Sequence, residues 1–148
     1  MLENSKHIII VGAGIAGLTA ALSLRHYGIR TSIYERSPEI ITAGAGIQLS
    51  PNANRVLSRI GVLKEISSVS IRCHGVKVFD YKSNRQLALF DYMKFKGNDF
   101  FYFCHRADLV GVLYAACQKL EIPVYFNKKL EKVINKKAVF SDGETLSS

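Results

Sequence analysis

The chain has 148 residues, of which 48% are hydrophobic and 22% charged; the length fits about one domain and the composition excludes an intrinsically disordered chain. Lys and Arg number 20 against 12 Asp and Glu, so the formal net charge is +8, which is compatible with an acidic ligand or with nucleic acid. The densest basic residues fall in a predicted hairpin, at positions 128, 129, 132, 136 and 137. Because charge runs are usually solvated faces, we expect no nucleic-acid partner.

Cysteine usage and one uncharged run bear on the compartment of the protein. Cys73, Cys104 and Cys117 cannot all pair and form no CxxC motif, which argues against a disulfide scaffold or a zinc site and favours a reducing compartment. Residues 8–24 carry no charge, but this run is shorter than the roughly 20 residues that span a bilayer. A secretory signal is another interpretation, yet the regular glycines favour a folded core. We therefore expect a cytoplasmic protein without a membrane segment.

The first predicted elements form a strand, a helix and a second strand. Residues 7–11 (HIIIV) are an apolar run typical of a buried parallel strand. Apolar residues at spacings of 3 and 4 predict a helix over 15–27, and Gly28 stands where a C-terminal cap belongs. Residues 31–35 are rich in β-branched and aromatic types, which predicts the second strand. Together they form a β-α-β unit with a right-handed crossover.

The remaining elements alternate between helices and short strands. The next helix runs from Ser50-Pro51 to Gly61 with an apolar face of Ala53, Val56, Leu57 and Ile60, and an antiparallel pair of strands follows at 75–81 and 86–92. A buried strand at 101–104 precedes a helix over 106–119 that has Leu109, Leu113, Ala116 and Leu120 on one face. After Pro123 we predict a strand, then a hairpin of 129–134 with 138–141 closed by Asn135-Lys136-Lys137, and a last strand that begins at 144–146.

The sequence GAGIAG at positions 12–17 places a GxGxxG pattern directly after the first strand and before the first helix. In a dinucleotide-binding turn, Gly12 allows the tight bend, Gly14 lets a pyrophosphate approach the backbone, and Gly17 lets the helix pack close to the strand. The amides of the first helical turn then face the phosphate, and these belong to Ile15, Ala16 and Gly17. The alternative is a glycine-rich turn of an α/β core with no ligand.

Glu35 ends the second predicted strand, 21 residues after Gly14 and 18 after Gly17, close to the spacing of about 20 expected for the acid that binds a ribose. Its carboxylate would accept hydrogen bonds from ribose hydroxyls and repel a 2′-phosphate. The pattern therefore favours FAD or NAD over NADP. An incidental exposed glutamate is the alternative.

Three stretches resemble the flavoprotein aromatic monooxygenases of the salicylate hydroxylase and 3-hydroxybenzoate 6-hydroxylase type. They are the fingerprint with its Glu35-Arg36 ending, the stretch AGAGIQLSPNANRVLSRIG at 43–61, and HRADL at 105–109. The resemblance implies an α/β fold with a Rossmann-like FAD-binding βαβ core and an added antiparallel hairpin or meander. It also implies that 1–148 form one incomplete FAD-binding domain, truncated relative to the family, in which 75–92 resemble the first piece of a substrate-domain sheet.

The resemblance implies FAD as cofactor, NADH or NADPH as electron donor, and O2 with a small aromatic substrate, such as a phenolic acid. It implies that Arg106 contacts the flavin cofactor, that Arg36 covers the adenine or a phosphate, and that Val133 neighbours the adenine. Gly44, Gly46 and Gln48 would let the chain run close to the ribityl and ring. Each of these assignments has an alternative. Arg106 would be a surface arginine paired with Asp108 or a neighbouring carboxylate, and Arg36 a solvated arginine. Val133 would be a core residue, and the glycine segment a flexible loop.

We predict no catalytic side chain and no metal site, because no nucleophile, carboxylate pair or ligand cluster has an informative spacing; His74 and His105 are interpreted as structural. In this family the flavin performs the oxygen chemistry. Two alternatives remain open. One is a catalytically inert dinucleotide-binding fragment, or a subunit whose missing C-terminal half is supplied in cis or in trans. The other is an NAD-dependent dehydrogenase.

Overall fold

The computed structural model describes residues 7–40, 44–94 and 100–147. In chain order its elements are β1 (His7–Val11), α1 (Ile15–His26), β2 (Arg30–Tyr34), β3 (Gly46–Leu49), α2 (Pro51–Arg59), α3 (Leu63–Ser68), β4 (Ile71–Cys73), β5 (Gly75–Phe79), β6 (Gln86–Asp91), a 3-10 turn (Tyr92–Lys94), β7 (Phe101–His105), α4 (Arg106–Lys119), β8 (Val124–Tyr125), β9 (Leu130–Ile134), β10 (Lys137–Phe140) and β11 (Thr145–Ser147). They divide into two compact units, residues 1–44 with 106–148, and residues 45–105.

A three-stranded parallel sheet of order β1-β2-β8 is the framework of the first unit. β1 and β2 pair in register from His7 opposite Arg30 to Val11 opposite Tyr34. The expected β-α-β unit is confirmed, since α1 connects these two strands. The uncharged run at 8–24 is therefore divided between a strand, a turn and a helix, and no helix in the described ranges is both long and apolar enough to cross a membrane.

Helices α1 and α4 supply the interior of the first unit. The side chains that they bury completely or nearly so are Leu18, Ala21 and Leu22 of α1 and Leu109, Val110, Leu113 and Cys117 of α4. The helix over 106–119 is confirmed, but its predicted face is wrong at the end: Leu120 lies past the last turn and is 41% exposed, and Cys117 takes the interior position. Burial raises the pKa of the Cys117 thiol to about 11, which keeps it protonated at neutral pH.

The first unit also contains an antiparallel sheet of order β11-β10-β9. Its residues Ala138 and Phe140 pack with Tyr34 of the parallel sheet in one buried cluster. The turn between β9 and β10 has two residues and not the predicted three, because Asn135 and Lys136 both have positive φ and Lys137 already begins β10. Positive φ at both central positions is the geometry of a two-residue hairpin turn.

The second unit consists of a three-stranded sheet of order β3-β7-β4, the hairpin of β5 with β6, and helices α2 and α3. The hairpin was predicted from the sequence. The prediction that 101–104 are buried is wrong for much of β7, since Cys104 is buried but Phe103 is 41% exposed. An antiparallel sheet can pack on one face only, which leaves alternate side chains open.

Helix α2 differs from its predicted apolar face. Val56 is 44% exposed, whereas Asn54 is only 4% exposed and donates from Nδ2 to the Phe100 carbonyl at 2.6 Å. Ser50 stands at the N-cap position, but its hydroxyl donates to the Asn52 side chain and makes no capping bond to the helix backbone. The helix is therefore oriented by a buried amide that links it to the segment before β7.

Two helical glycines give a matched test of how closely α1 approaches the turn that precedes it. A Cβ at Gly17 in α1 would lie 1.9 Å from the Gly12 carbonyl oxygen, whereas a Cβ at Gly111 in α4 would meet nothing within 4 Å. We expect Gly17→Ala to lower the free energy of unfolding by about 3 kcal/mol or more, because backbone must move. Gly111→Ala should raise it by about 0.5–1 kcal/mol through helix propensity. Urea unfolding of both variants checks this; equal effects would contradict the close approach of α1 to the turn.

Candidate cofactor-binding site

The glycine turn between β1 and α1 is tightly wound and tied to β2. Gly12 has φ +96, in the left-handed region that favours glycine, and its N–H donates to the Tyr34 carbonyl at 2.8 Å. Gly14 is the N-cap residue of α1 in an extended conformation, φ −79 and ψ −177. The 1.9 Å separation between a Cβ at Gly17 and the Gly12 oxygen shows why no side chain fits at that position.

The start of α1 presents backbone donors with no acceptor in the helix. The first helical bond runs from the Leu18 N–H to the Gly14 carbonyl at 3.0 Å, so the N–H groups of the three preceding residues, Ile15, Ala16 and Gly17, lack a helical partner. No acidic side chain lies in this first turn, and a Cβ at Gly14 would meet nothing within 4 Å. This is a bare helix N-terminus, to which the helix dipole attracts an anion.

The Glu35 carboxylate lies against the same turn. Its Oε2 accepts from the Ala13 N–H at 2.7 Å, and its Oε1 accepts from the Ser37 N–H at 2.9 Å. Burial alone would raise the pKa of Glu35, but these backbone donors outweigh it and the pKa lies below its ordinary value. The residue is therefore a carboxylate at neutral pH. Each of its oxygens keeps a further lone pair for another donor.

Two neighbouring cavities open at this edge, and both are lined by Glu35 and Arg36. The turn cavity has a volume of about 160 Å³ and is lined by Ala13, Gly14, Glu35, Arg36, Ile40, Arg106 and Val110. The lysine cavity has a volume of about 380 Å³ and is lined by Val11, Gly12, Tyr34, Glu35, Arg36, Lys128, Lys129 and Leu130. The turn cavity alone is smaller than usual ligand pockets, which measure about 300–1,000 Å³, so a dinucleotide that binds at the glycine turn would extend into the lysine cavity.

The predicted site residues do not all meet at this corner. Gly14, Glu35, Arg36 and Arg106 line the turn cavity, and Gly12 lines the lysine cavity. Val133 does not line either one and is 64% exposed. Gly46 and Gln48 belong to β3 of the second unit, where Gly46 pairs with His105.

Sequence reasoning missed eight residues that line the two cavities: Val11, Ala13, Tyr34, Ile40, Val110, Lys128, Lys129 and Leu130. A signal for the last three exists, since the short strand before them is parallel to β1 and β2. The carboxyl ends of parallel strands meet at one edge, where ligands bind. A solvated hairpin is the expectation for these lysines, and Lys129, Lys132, Lys136 and Lys137 are exposed. Lys128 differs from them, because the carboxylates of Asp142 and Glu144 hold it.

A larger cleft of about 520 Å³ lies at the opposite edge of the parallel sheet, where β1, β2 and β8 begin. It is lined by His7, Arg25, Arg30, Thr31, Ser32, Glu121, Ile122 and Pro123. Its lining contains no glycine turn, and Arg25 belongs to the last turn of α1, where the helix dipole is negative. Size therefore favours this cleft, but backbone donors and dipole direction favour the carboxyl edge, which we take as the candidate site.

A family model described as the FAD binding domain matches residues 5–142. The chain belongs to the FAD-binding domain family. The resemblance to flavoprotein aromatic monooxygenases and the α/β fold expected from the sequence are confirmed by relatives and by solved structures. Within the described ranges, no group of three or more His, Cys, Asp or Glu side chains is arranged to hold a metal ion.

The curated relatives of this chain include two aromatic hydroxylases. The 3-amino-4-hydroxybenzoate 2-monooxygenase of Streptomyces cremeus is 36% identical over 112 residues, which cover 74% of this chain and 28% of that protein. The 3-hydroxybenzoate 6-hydroxylase 1 of Aquipseudomonas alcaligenes is 36% identical over 118 residues, 77% of this chain and 30% of that protein. The chain thus spans less than a third of the length of these relatives.

Solved structures share the fold. The tetrameric form of 2-methyl-3-hydroxypyridine-5-carboxylic acid oxygenase superposes with a TM-score of 0.88 at 23% identity, over 98% of this chain and 38% of that one. CtdE, crystallised in complex with FAD and a substrate, superposes with a TM-score of 0.78 at 25% identity, over 95% of this chain and 35% of that one.

The hydrogen bonds to Glu35 predict a pH-dependent contribution to stability. A carboxyl whose pKa is depressed in the folded state stabilises the fold above its ordinary pKa of 4.5 and loses that contribution as pH falls through the folded value. We expect Glu35→Gln to lower the free energy of unfolding by about 1–2 kcal/mol at pH 7, with the difference from the parent shrinking below about pH 4.5. Urea unfolding between pH 7 and pH 3 measures it.

The exposed residue Glu39 provides the control, since Glu39→Gln removes a nearby carboxylate that accepts no described hydrogen bond. It should leave the free energy of unfolding unchanged at pH 7. A Glu35→Gln difference that stays constant down to pH 3 would contradict the assignment of the depressed pKa to this residue.

Proposed function

We propose that this chain binds FAD at the carboxyl edge of its parallel sheet, with the diphosphate on the glycine turn and the adenosine ribose on Glu35. The observation that carries the proposal is a bare helix N-terminus and an ionised carboxylate on one cavity: Gly14 has open space where a side chain would be, and Glu35 accepts the Ala13 N–H beside it. Membership of the FAD-binding domain family supports the choice of FAD, as does CtdE, whose crystals hold FAD.

The diphosphate would bind the free N–H groups of Ile15, Ala16 and Gly17, with Arg36 and Arg106 as the nearby cations. Both arginines line the turn cavity with Gly14. A guanidinium forms charge-assisted and often bidentate bonds to phosphate oxygens. The family resemblance implies that Arg106 contacts the flavin cofactor, which supports its inclusion in this site.

The adenosine would lie on the other side of Glu35, in the lysine cavity. Both carboxylate oxygens of Glu35 already accept one backbone N–H each, and their remaining lone pairs suit the two ribose hydroxyls. A 2′-phosphate at this position would meet a carboxylate of like charge, which disfavours NADP. For the adenine we favour Leu130 over the predicted Val133, since Leu130 lines the cavity whereas Val133 is 64% exposed.

The reaction proposed for the whole protein is hydroxylation of a small aromatic ring, such as that of a phenolic acid. FAD supplies the oxygen chemistry when it is bound, with NADH or NADPH as electron donor and O2 as co-substrate. The support is the two hydroxybenzoate-type relatives, and the +8 charge is compatible with an acidic substrate. The residues of this chain would bind and orient FAD, and we assign none of them to proton transfer. Cys73, Cys104 and Cys117 are buried and form no disulfide with one another, which suits a cytoplasmic location.

The hairpin of β5 and β6 is proposed as the first piece of a substrate-domain sheet. It exposes large apolar side chains, including Val78, Leu89 and Phe90. Because a two-stranded ribbon is at best marginally stable by itself, these side chains suit a covering partner. Because the chain spans only 28% and 30% of two aromatic hydroxylases, the covering residues and the flavin-ring pocket would come from a C-terminal half, in cis or in trans. By itself this chain would then be a dinucleotide-binding fragment without hydroxylase activity.

The test is calorimetric titration of the purified chain with FAD and with ADP, which carries the adenosine and diphosphate of FAD without the riboflavin half. We expect both to bind, and a 2′-phosphorylated ADP to bind at least tenfold more weakly, a difference of about 1.4 kcal/mol. No binding of FAD or ADP would overturn the proposal. NADH binding tighter than FAD would instead favour the NAD-dependent dehydrogenase.

Gly14→Val is the sharpest variant, because it separates ligand binding from folding. Extended backbone at residue 14 tolerates a β-branched side chain, and its Cβ would occupy open space. We expect a loss of stability of at most about 1 kcal/mol from the weaker N-cap, but a loss of ADP and FAD affinity of more than about tenfold, since the side chain would fill the phosphate position. Gly111→Ala, in the middle of α4 where a Cβ would meet nothing within 4 Å, is the control and should bind as the parent does. Parental affinity in Gly14→Val would remove the diphosphate from this turn.

A further inference from the structure

Gly44 lies against the side chain of Arg106. A Cβ at residue 44 would be 3.0 Å from both Cβ and Cδ of Arg106 and 3.4 Å from its Cγ. Carbon atoms in contact normally lie about 3.5–4.0 Å apart. The backbone of Gly44 has no positive φ, so its conformation does not require glycine, but a Cβ at this position would make the arginine stem or residue 44 move by a few tenths of an ångström.

This contact differs from those of the other glycines in the described ranges. A Cβ at Gly14 would meet open space, and Cβ atoms at Gly17 and Gly75 would strike backbone carbonyl oxygens. At Gly44 the obstacle is a cationic side chain that lines the turn cavity together with Glu35. The lack of a Cβ at Gly44 therefore bears on the position of the Arg106 side chain.

Arg106 has little freedom to retreat near its backbone. It is the first residue of α4, and Val110, one helical turn later, is 2% exposed and lines the same cavity. The Arg106 Cβ is fixed by that helix, so a methyl group at residue 44 would relieve its contact with Cβ by a small shift of residue 44 and its contacts with Cγ and Cδ by rotation of the arginine stem. Rotation at the stem moves the guanidinium most, because it lies at the far end of the side chain.

We propose that Gly44 is a positioning residue for Arg106: by lacking a Cβ it lets the arginine stem lie along the loop and holds the guanidinium at the diphosphate end of the cofactor site. This inference rests on the proposed function of that site. It gives Gly44 a role toward a protein side chain, whereas the sequence suggested that this segment runs close to the flavin.

The test is a double-mutant cycle on the full chain, with ADP as the probe. Arg106→Ala should weaken ADP binding by about 10- to 100-fold, the loss of charge-assisted bonds. Gly44→Ala should weaken it by about 3- to 10-fold, and the double variant should bind no more weakly than Arg106→Ala alone, because residues in contact are not additive. Both single variants should also reduce the dependence of ADP affinity on salt, since each removes a phosphate–guanidinium contact.

A second measurement needs no ligand. In a ¹⁵N-correlated NMR spectrum, the Nε–Hε signal of Arg106 is the one that disappears in Arg106→Ala. We expect that signal to shift in Gly44→Ala, with the signals of the remaining arginines unmoved, and to stay in place in the Gly111→Ala control. Circular dichroism melting confirms that each variant is folded.

The outcomes separate the two proposals. If the parent binds neither ADP nor FAD, the proposed function fails while the NMR measurement still decides the contact. An unmoved Arg106 signal in Gly44→Ala overturns the positioning role. So does an equal loss of ADP affinity from Gly44→Ala in the parent and in the Arg106→Ala background, because Gly44 would then act independently of the arginine.

Discussion

The hydrogen bond from the Ala13 N–H to the Glu35 carboxylate connects the glycine turn to the end of the neighbouring strand. It continues a pairing that begins in the sheet, where Val11 lies opposite Tyr34 and the Gly12 N–H donates to the Tyr34 carbonyl. The two residues after β1, Gly12 and Ala13, are therefore bonded to Tyr34 and Glu35 at the end of β2. The turn cannot open without breaking these bonds, so the start of α1 is held beside a carboxylate.

That arrangement puts opposite charges on neighbouring parts of one site. The helix N-terminus with Arg36 and Arg106 attracts phosphate, whereas Glu35 attracts hydroxyl donors and repels further phosphate. An ADP group carries these chemistries in the same order, diphosphate and then ribose. The opposite edge of the sheet has a larger cleft with two arginines, but the described residues that line it include no helix N-terminus, and the C-terminal end of α1 makes the helix dipole unfavourable to an anion there.

The sequence predicts the parts of this fold that follow from neighbouring residues. Strand β1, helix α4 and the left-handed conformation of Gly12 are local properties, and each is found where its pattern indicates. What it does not predict depends on distant partners. Asn54 is buried because Phe100 offers it a carbonyl, and Leu130 enters the candidate site because β8 pairs beside β2. No periodicity encodes such partners, and the three-residue strand β4 is too short to show any.

Helix α4 connects the core to the candidate site, because it carries both buried core residues and Arg106. Its buried residues Leu109, Leu113 and Cys117 pack it in the interior with α1, and the Cys117 thiol reaches the Leu18 carbonyl at 3.8 Å. The same helix begins with Arg106, so the packing that fixes its axis also fixes the arginine Cβ. A core change in α4 would then alter anion binding without touching the cavity, whereas Gly44 acts only on the arginine stem. Helix α4 fixes the Cβ of Arg106, and Gly44 determines the path of its side chain to the guanidinium.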